Sequence, residues 1–88
     1  MNYDYREARP RLFTEEGQEN FLKVRDKANG LLDKAGAFQA SKVFCAGSTF
    51  DSLACLDRMV ELKEIREVTA PGSCWAQHRV FVRVEREA

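Results

Sequence analysis

The chain has 88 residues, and its 14 lysines and arginines balance 14 aspartates and glutamates, so its formal net charge at neutral pH is zero. This length supports one small hydrophobic core and excludes two independent domains. Apolar residues form 44% of the chain and charged residues 32%, a globular rather than disordered balance. Neutrality argues against a strong nonspecific grip on nucleic acid, although it leaves room for a local basic patch.

Cysteine usage and hydropathy predict a cellular compartment. The three cysteines, Cys45, Cys55 and Cys74, are odd in number and form no closely spaced pair, which favours a reduced intracellular chain. The first residues are polar and charged, unlike a secretory signal. No apolar run approaches the roughly 20 residues that span a bilayer. We therefore expect a soluble, cytoplasmic protein.

Residues 1–12 are predicted to form an N-terminal arm. They combine Tyr3 and Tyr5 with three arginines and a proline. We expect this arm to be either loose or docked through its tyrosines. Three arginines would suit contacts with phosphates, as in homeodomain arms. An ordinary frayed terminus is the alternative that we favour on general grounds.

Residues 13–86 are predicted to form a single domain that begins with a helix over 14–35. Thr14 is a hydroxyl cap, and the two acids that follow it suit the positive end of a helix dipole. Apolar residues then recur at spacings of three and four: Phe21, Val24, Ala28, Leu31, Leu32 and Ala35. Gly36 is placed to end the helix, and Gly30 weakens it by about 1 kcal/mol relative to alanine.

The next segment is short and ambiguous. We predict a helix over 38–45, although Val43 and Phe44 would equally begin a strand. Gly47 supplies the freedom for a tight turn after it. A further helix is predicted over 49–62, with Ser48 or Thr49 as its cap. Its apolar face carries three residues, with Met59 at the border: Leu53, Leu56 and Val60.

Two strands are predicted near the C-terminus, over 64–69 and 79–85. They are joined by a loop that contains the turn signal Pro71-Gly72. Alternation in the second strand separates two sets of side chains: Val80, Val82 and Val84 on one side, and Arg79, Phe81 and Arg83 on the other. A lone hairpin is marginal in water, so we expect the valine side to pack on the helices.

The order helix, short helix, turn, helix, strand, loop, strand resembles that of winged helix-turn-helix domains. Gly47, Leu53 and Leu56 stand at the spacings that are typical of the turn and second helix, although Val43 replaces the usual small residue. The stretch Ile65-Arg66 also resembles the start of a winged-helix strand, with Lys63 where glycine is usual. The resemblance covers residues 14–84.

This resemblance implies an α+β fold of three helices followed by a two-stranded antiparallel β-wing. It also implies DNA binding, with the second helix of the helix-turn-helix in the major groove and the wing beside it. The outward side of that helix would carry Asp51, Ala54, Cys55 and Arg58. Only Arg58 is a good reader of guanine, and the acids would be repelled by phosphates.

The wing offers more basic residues than the helix. The combined DNA-binding candidates come from the short helix, the second helix and the wing: Lys42, Thr49, Ser52, Arg58, Arg66, Gln77, His78, Arg79 and Arg83. The alternative is that Arg79 and Arg83 are solvated strand residues, paired with Glu67 and Glu85.

Two functional hypotheses remain. The first is a small bacterial-type transcription regulator that binds duplex DNA as a homodimer, associating through the first helix and the arm. The second is a protein–protein interaction module without DNA binding, which docks through Asp51, Asp57 and Trp75. Trp75 is more often a packing residue that closes the wing on the body, whereas an exposed Trp75 would indicate a partner surface.

Catalytic and metal chemistry is not expected. Cys74 and His78 have a Cys-x3-His spacing, and Cys45 and Cys55 would complete a zinc set only from three separate segments. The same cysteine and histidine lack an evident orienting acid for nucleophilic catalysis. We therefore predict no enzyme activity, no metal and no cofactor.

Overall fold

The computed structural model describes residues 3–44, 49–70 and 72–84. In these residues, three α-helices and three 3₁₀ turns accompany one sheet. Their chain order is α1 (Tyr5–Ala8), a 3₁₀ turn (Arg9–Phe13), α2 (Glu15–Ala35), β1 (Ala37–Gln39), a 3₁₀ turn (Ala40–Val43), α3 (Thr49–Glu61), β2 (Ile65–Glu67), a 3₁₀ turn (Ala76–His78) and β3 (Val80–Arg83). The sheet is antiparallel, with strand order β1-β3-β2. The predicted α+β class is therefore confirmed.

Helix α2 matches its prediction closely. The Thr14 hydroxyl accepts a hydrogen bond from the Gly17 amide at 3.0 Å, which satisfies one free donor of the first turn. Gly36 ends the helix in the left-handed conformation, with φ of 78°. Most of the predicted apolar stripe is buried: Phe21, Val24, Ala28 and Leu32. Leu31 is only partly buried and Ala35 is exposed.

The predicted helix over 38–45 is wrong. Its first part belongs to β1, where Phe38 lies opposite Phe81 and the two rings stack at 5.6 Å. Only Ala40–Val43 forms a single 3₁₀ turn, and the Ala40 amide donates to the Arg79 carbonyl at 2.8 Å. The segment was too short for helical periodicity to decide, and its strand partner is distant in sequence. Cys45 and Gly47 lie outside the described residues.

Because β1 joins the hairpin, the sheet has three strands where the sequence predicted a two-stranded wing. The hairpin strands are also shorter than predicted, at Ile65–Glu67 and Val80–Arg83. The core side of β3 is the opposite of the predicted one. Phe81 is fully buried, whereas Val80 and Val82 are half-buried on the other face. Burying a phenylalanine removes more apolar surface from water than burying a valine. Because side chains alternate between the two faces of a strand, burying Phe81 places Val80 and Val82 on the opposite face.

The N-terminal residues are docked, not loose. Ala8 in α1 and Leu12 in the 3₁₀ turn are buried in the core, at 4% and 3% exposure. The chain passes so close to α2 that a Cβ added at Gly17 would lie 1.9 Å from the Arg11 carbonyl oxygen. Only glycine accommodates this approach. We call Tyr3–Phe13 the N-terminal segment.

Helix α3 lies at the centre of the molecule, between α2, the sheet and the N-terminal segment. Six of its residues are buried: Ser52, Leu53, Ala54, Cys55, Leu56 and Met59. Met59 therefore takes the core position that was predicted for Val60, which is only partly buried. In the described part of the chain, no helix combines the length and the apolar character needed to cross a membrane.

Candidate functional site

The N-terminal segment covers the side of α3 that was predicted to read DNA. Ala54 and Cys55 belong to that predicted outward side, yet they are 1% and 0% exposed. Ser52, a DNA-binding candidate, is 4% exposed. A base-reading helix needs this side open to enter the major groove. In this structure α3 is a core helix covered on both sides.

The charges of α3 are paired with the segment that covers it. Arg11 lies 3.2 Å from Asp51, and Arg9 lies 3.1 Å from Glu61. Tyr5 donates a hydrogen bond to Glu61 as well. The acids that would have repelled a phosphate backbone therefore hold the N-terminal segment in place. Asp51, predicted as a partner contact, is used inside the molecule.

Ionisation states in this region agree with that role. Burial and the hydrogen bond to Asp57, at 2.6 Å, raise the pKa of Tyr3 well above its usual value. Burial and the bond to Glu61 raise the pKa of Tyr5 to about 12. The bonds that Glu61 accepts from Tyr5, Arg9 and Arg58 hold its pKa below the usual value. At neutral pH both phenols are protonated donors and Glu61 is a carboxylate acceptor.

Arg79 is part of a half-buried ion network. Its guanidinium donates to Asp57 at 2.8 Å and to Glu67 at 2.9 Å, and it lies 5.0 Å from the centre of the Phe81 ring. Burial alone would lower the pKa of Arg79, but the bonds to the two carboxylates outweigh it and raise that pKa above its ordinary range. The predicted pairing with Glu67 is confirmed. Arg79 holds β3 to α3 and is not displayed for phosphates, and Asp57 is likewise occupied.

Two more candidate arginines have intramolecular partners. Arg58 bonds Glu61 at 3.2 Å, and its guanidinium lies 5.3 Å from the centre of the Phe13 ring. Arg83 pairs with Asp33 at 3.0 Å, in a contact open to solvent. The predicted partner of Arg83, Glu85, lies outside the described residues.

The remaining candidates are exposed: Lys42, Thr49, Arg66, Gln77 and His78. They do not form one patch. Arg66 lies on β2 opposite Val82, on the sheet face that carries the half-buried valines. The 3₁₀ turn that carries Lys42 packs against the turn that carries Gln77 and His78. Of these exposed candidates, the structure therefore brings together only Lys42, Gln77 and His78.

Trp75 is the most exposed large apolar side chain of the described residues, at 76%. It lies in the loop between β2 and β3, and the expectation that it closes the wing on the body is wrong. Its exposure matches the alternative, a partner surface. Two grooves adjoin it. One, which we call the aromatic groove, has a volume of about 490 Å³ and is lined by residues from four parts of the chain: Tyr3, Phe50, Glu67, Ala70, Gly72, Cys74, Trp75, Ala76, Gln77 and Arg79.

The second groove shares Gly72, Cys74 and Trp75 with the aromatic groove and is also lined by His78. Cys74 and His78 have the Cys-x3-His spacing noted in the sequence, but Cys55 is fully buried elsewhere and Cys45 lies outside the described residues. Within residues 3–44, 49–70 and 72–84, no three side chains of the metal-ligating types come together.

Sequence reasoning missed the contributions of Tyr3 and Phe50 to the aromatic groove. Their rings lie 5.8 Å apart, although one belongs to the N-terminal segment and the other to α3. The available signal was charge complementarity. A segment rich in tyrosine and arginine precedes a helix whose outward side carries acids, a combination that favours docking between them.

Comparisons with known proteins identify no relative. No protein-family model, no curated protein and no solved structure matches this chain.

Proposed function

We propose that this protein is a winged-helix-type interaction module that binds a protein partner through the loop between β2 and β3, with Trp75 as the anchor. The winged-helix assignment is supported by the order of the elements, in which β1 follows α2 and pairs with β3 after α3 and β2. The fold alone does not decide the function, because the same architecture serves many activities.

The exposure of Trp75 carries the functional proposal. Tryptophan is strongly enriched among the residues that dominate binding at protein interfaces, because it buries a large rigid surface at a small entropic cost. A tryptophan that is 76% exposed on a loop contributes little to the core of this domain. A partner that buries it gains the hydrophobic stabilisation that folding left unused.

The covered state of α3 also supports protein over DNA binding. The predicted base-reading side is packed under the N-terminal segment, and its acids are paired with arginines and accept hydrogen bonds from tyrosines of the same chain. Exposing that side would mean breaking those contacts and uncovering Leu12. The chain is also neutral overall, which provides no general attraction to phosphates.

Selection from a displayed peptide library, with the folded chain as bait, tests this proposal. We expect enriched peptides that bind with micromolar affinity, and we expect Trp75→Ala to weaken them at least tenfold. Leu22→Ala is the matched control, since Leu22 is an exposed large apolar residue at 60% on α2. Enriched peptides that bind Trp75→Ala and wild type equally would overturn the proposal.

DNA binding is the second candidate, favoured by one observation. Lys42, Gln77 and His78 are exposed on two 3₁₀ turns that pack together beside the Trp75 loop. Such a patch would contact phosphates at the edge of a groove without the use of α3.

Fluorescence anisotropy of a labelled random-sequence duplex separates the two candidates. Under our proposal, the folded protein does not bind the duplex even at low salt. Binding at low salt that collapses near physiological salt, and that weakens in Lys42→Ala, would replace the proposal with a phosphate-contacting function. Association into a homodimer through α2 and the N-terminal arm stays a prediction, and so does a cytoplasmic location.

A further inference from the structure

Three aromatic side chains from distant segments line the aromatic groove: Tyr3 of the N-terminal segment, Phe50 in the first turn of α3, and Trp75 of the loop. The Tyr3 and Phe50 rings are tilted by 57° to each other. Trp75 is 76% exposed, so most of its side chain is accessible to a ligand. Aromatic walls of this kind attract organic cations, and tryptophan does so best.

The charge near the groove is negative on balance. Glu67 lines the groove, and the guanidinium of Arg79 is shared between Glu67 and Asp57. Arg79 also lines the groove, whereas Asp57 does not, and the three charges of this network sum to one negative charge. Arg79 and Glu67 expose similar fractions of their side chains, 17% and 22%, and the Arg79 guanidinium lies over Phe81.

Glu67 is ionised at neutral pH. Burial raises its pKa, but the hydrogen bonds from Arg79 and Thr69 more than compensate, so that the pKa of Glu67 lies below its usual value. Thr69 donates to Glu67 at 2.5 Å. These two donors use both oxygens of the carboxylate inside the protein, while its charge is still felt in the adjoining groove.

We infer that the aromatic groove binds a basic side chain, arginine or lysine, of a protein partner, with the cation against the Trp75 ring and near Glu67. This inference rests on the proposed function and specifies the chemistry of the partner. An acidic partner would be repelled by the net negative charge of the Asp57–Arg79–Glu67 network, and a wholly apolar one would bury Glu67 further without adding a positive charge. A basic residue beside an apolar one matches both the charge and the aromatic walls.

The groove carries its own reporter, because Trp75 is the one tryptophan of the chain. The first experiment is titration of the intrinsic fluorescence with an acetylated, amidated Ala-Arg-Ala tripeptide. The neutral citrulline analogue and Ala-Glu-Ala serve as matched ligands. We expect a saturable change with the arginine peptide in the millimolar range, and at least a tenfold weaker response with the other two. Equal responses to the arginine and citrulline peptides would overturn the inference.

A pair of glutamates tests the carboxylate. Glu67→Gln should weaken the arginine peptide about fivefold to tenfold. Glu64→Gln is the control, since Glu64 also bonds an arginine, Arg25 at 2.7 Å, with a similar side-chain exposure of 20%, but it does not line the groove. Circular dichroism checks that both variants are folded. If Glu67→Gln does not fold, Trp75→Leu replaces it, with binding followed through the proton signals of the peptide arginine.

Failure of this inference is distinguishable from failure of the proposed function. Library peptides that need Trp75 but contain no basic residue would leave the interaction function intact and refute the cationic partner. Library peptides that bind Trp75→Ala as tightly as wild type would refute the proposed function, irrespective of the tripeptide titration.

Discussion

The side of α3 under the N-terminal segment and the loop that carries Trp75 differ in how completely folding has used their side chains. Along α3, the acids Asp51, Asp57 and Glu61 all have partners within the chain. In the loop, Trp75 is 76% exposed. The winged-helix resemblance implied a reading surface on α3, although its acids made it a poor one, and Trp75 was expected to be a packing residue. In the structure that side of α3 is covered and Trp75 is exposed. A surface whose charges are paired and whose apolar groups are buried within the chain gains little further free energy by binding a partner.

The largest expected effect contrasts a core residue of α3 with the loop. Leu56 is fully buried, so Leu56→Ala should lower the free energy of unfolding by about 2–5 kcal/mol through lost burial and a residual cavity. Trp75→Ala should change it by less than about 0.5 kcal/mol, because the side chain is exposed. Urea denaturation followed by far-UV circular dichroism measures both. A Trp75→Ala loss comparable to that of Leu56→Ala would mean that the loop is part of the core.

A smaller effect contrasts two arginines that flank β3. Arg79→Ala leaves the half-buried carboxylates of Asp57 and Glu67 without their counter-ion and should cost about 2–3 kcal/mol of stability. Arg83→Ala removes an exposed pair with Asp33 and should cost about 0–1 kcal/mol. The same denaturation experiment compares them. Equal losses would show that Arg79 is not anchored between Asp57 and Glu67.

The smallest effect tests the docking of the N-terminal segment, with a pair of glycines in α2. Gly17→Ala places a Cβ against the Arg11 carbonyl and should cost about 1–3 kcal/mol. Gly30→Ala meets nothing within 4 Å and should instead gain about 0.5–1 kcal/mol from the better helix propensity of alanine. Stabilisation by both changes would contradict the docked position of the segment.

Tyrosine ionisation provides an independent readout of the same pair, because both tyrosines of the chain lie in this segment. Docking raises the pKa of Tyr5 to about 12, above its unfolded value near 10. The stabilisation from the neutral phenol is therefore present below about pH 10 and is lost as the pH rises towards 12. Tyrosinate absorbance should appear closer to pH 10 in Gly17→Ala than in Gly30→Ala. Identical tyrosinate titrations in the two variants would show that the Gly17→Ala change does not undock the N-terminal segment.

Local sequence patterns predicted structure correctly where the pattern lay within a single helix. The cap at Thr14, the apolar spacing from Phe21 to Leu32 and the stop at Gly36 predicted α2 almost to the residue. Leu53 and Leu56 were identified as core from spacing alone. The candidate site was predicted less well. Trp75 was identified as a candidate, but a packed side chain was favoured over an exposed one, and Tyr3 and Phe50 were not connected with it.

By itself, the sequence determined the α+β class, the long helix α2, the core residues Leu53 and Leu56 of α3 and the approximate positions of the hairpin strands, because these depend on periodicity and turn chemistry within a few residues. Only the tertiary structure decided that β1 pairs with β3, that Phe81 and not the valines faces the core, and that the N-terminal segment covers α3. In each case, the residues near the position in sequence do not distinguish between two possible faces or two possible partners. The choice follows from the apolar area and the ion pairs gained across long sequence separations, which local patterns do not contain.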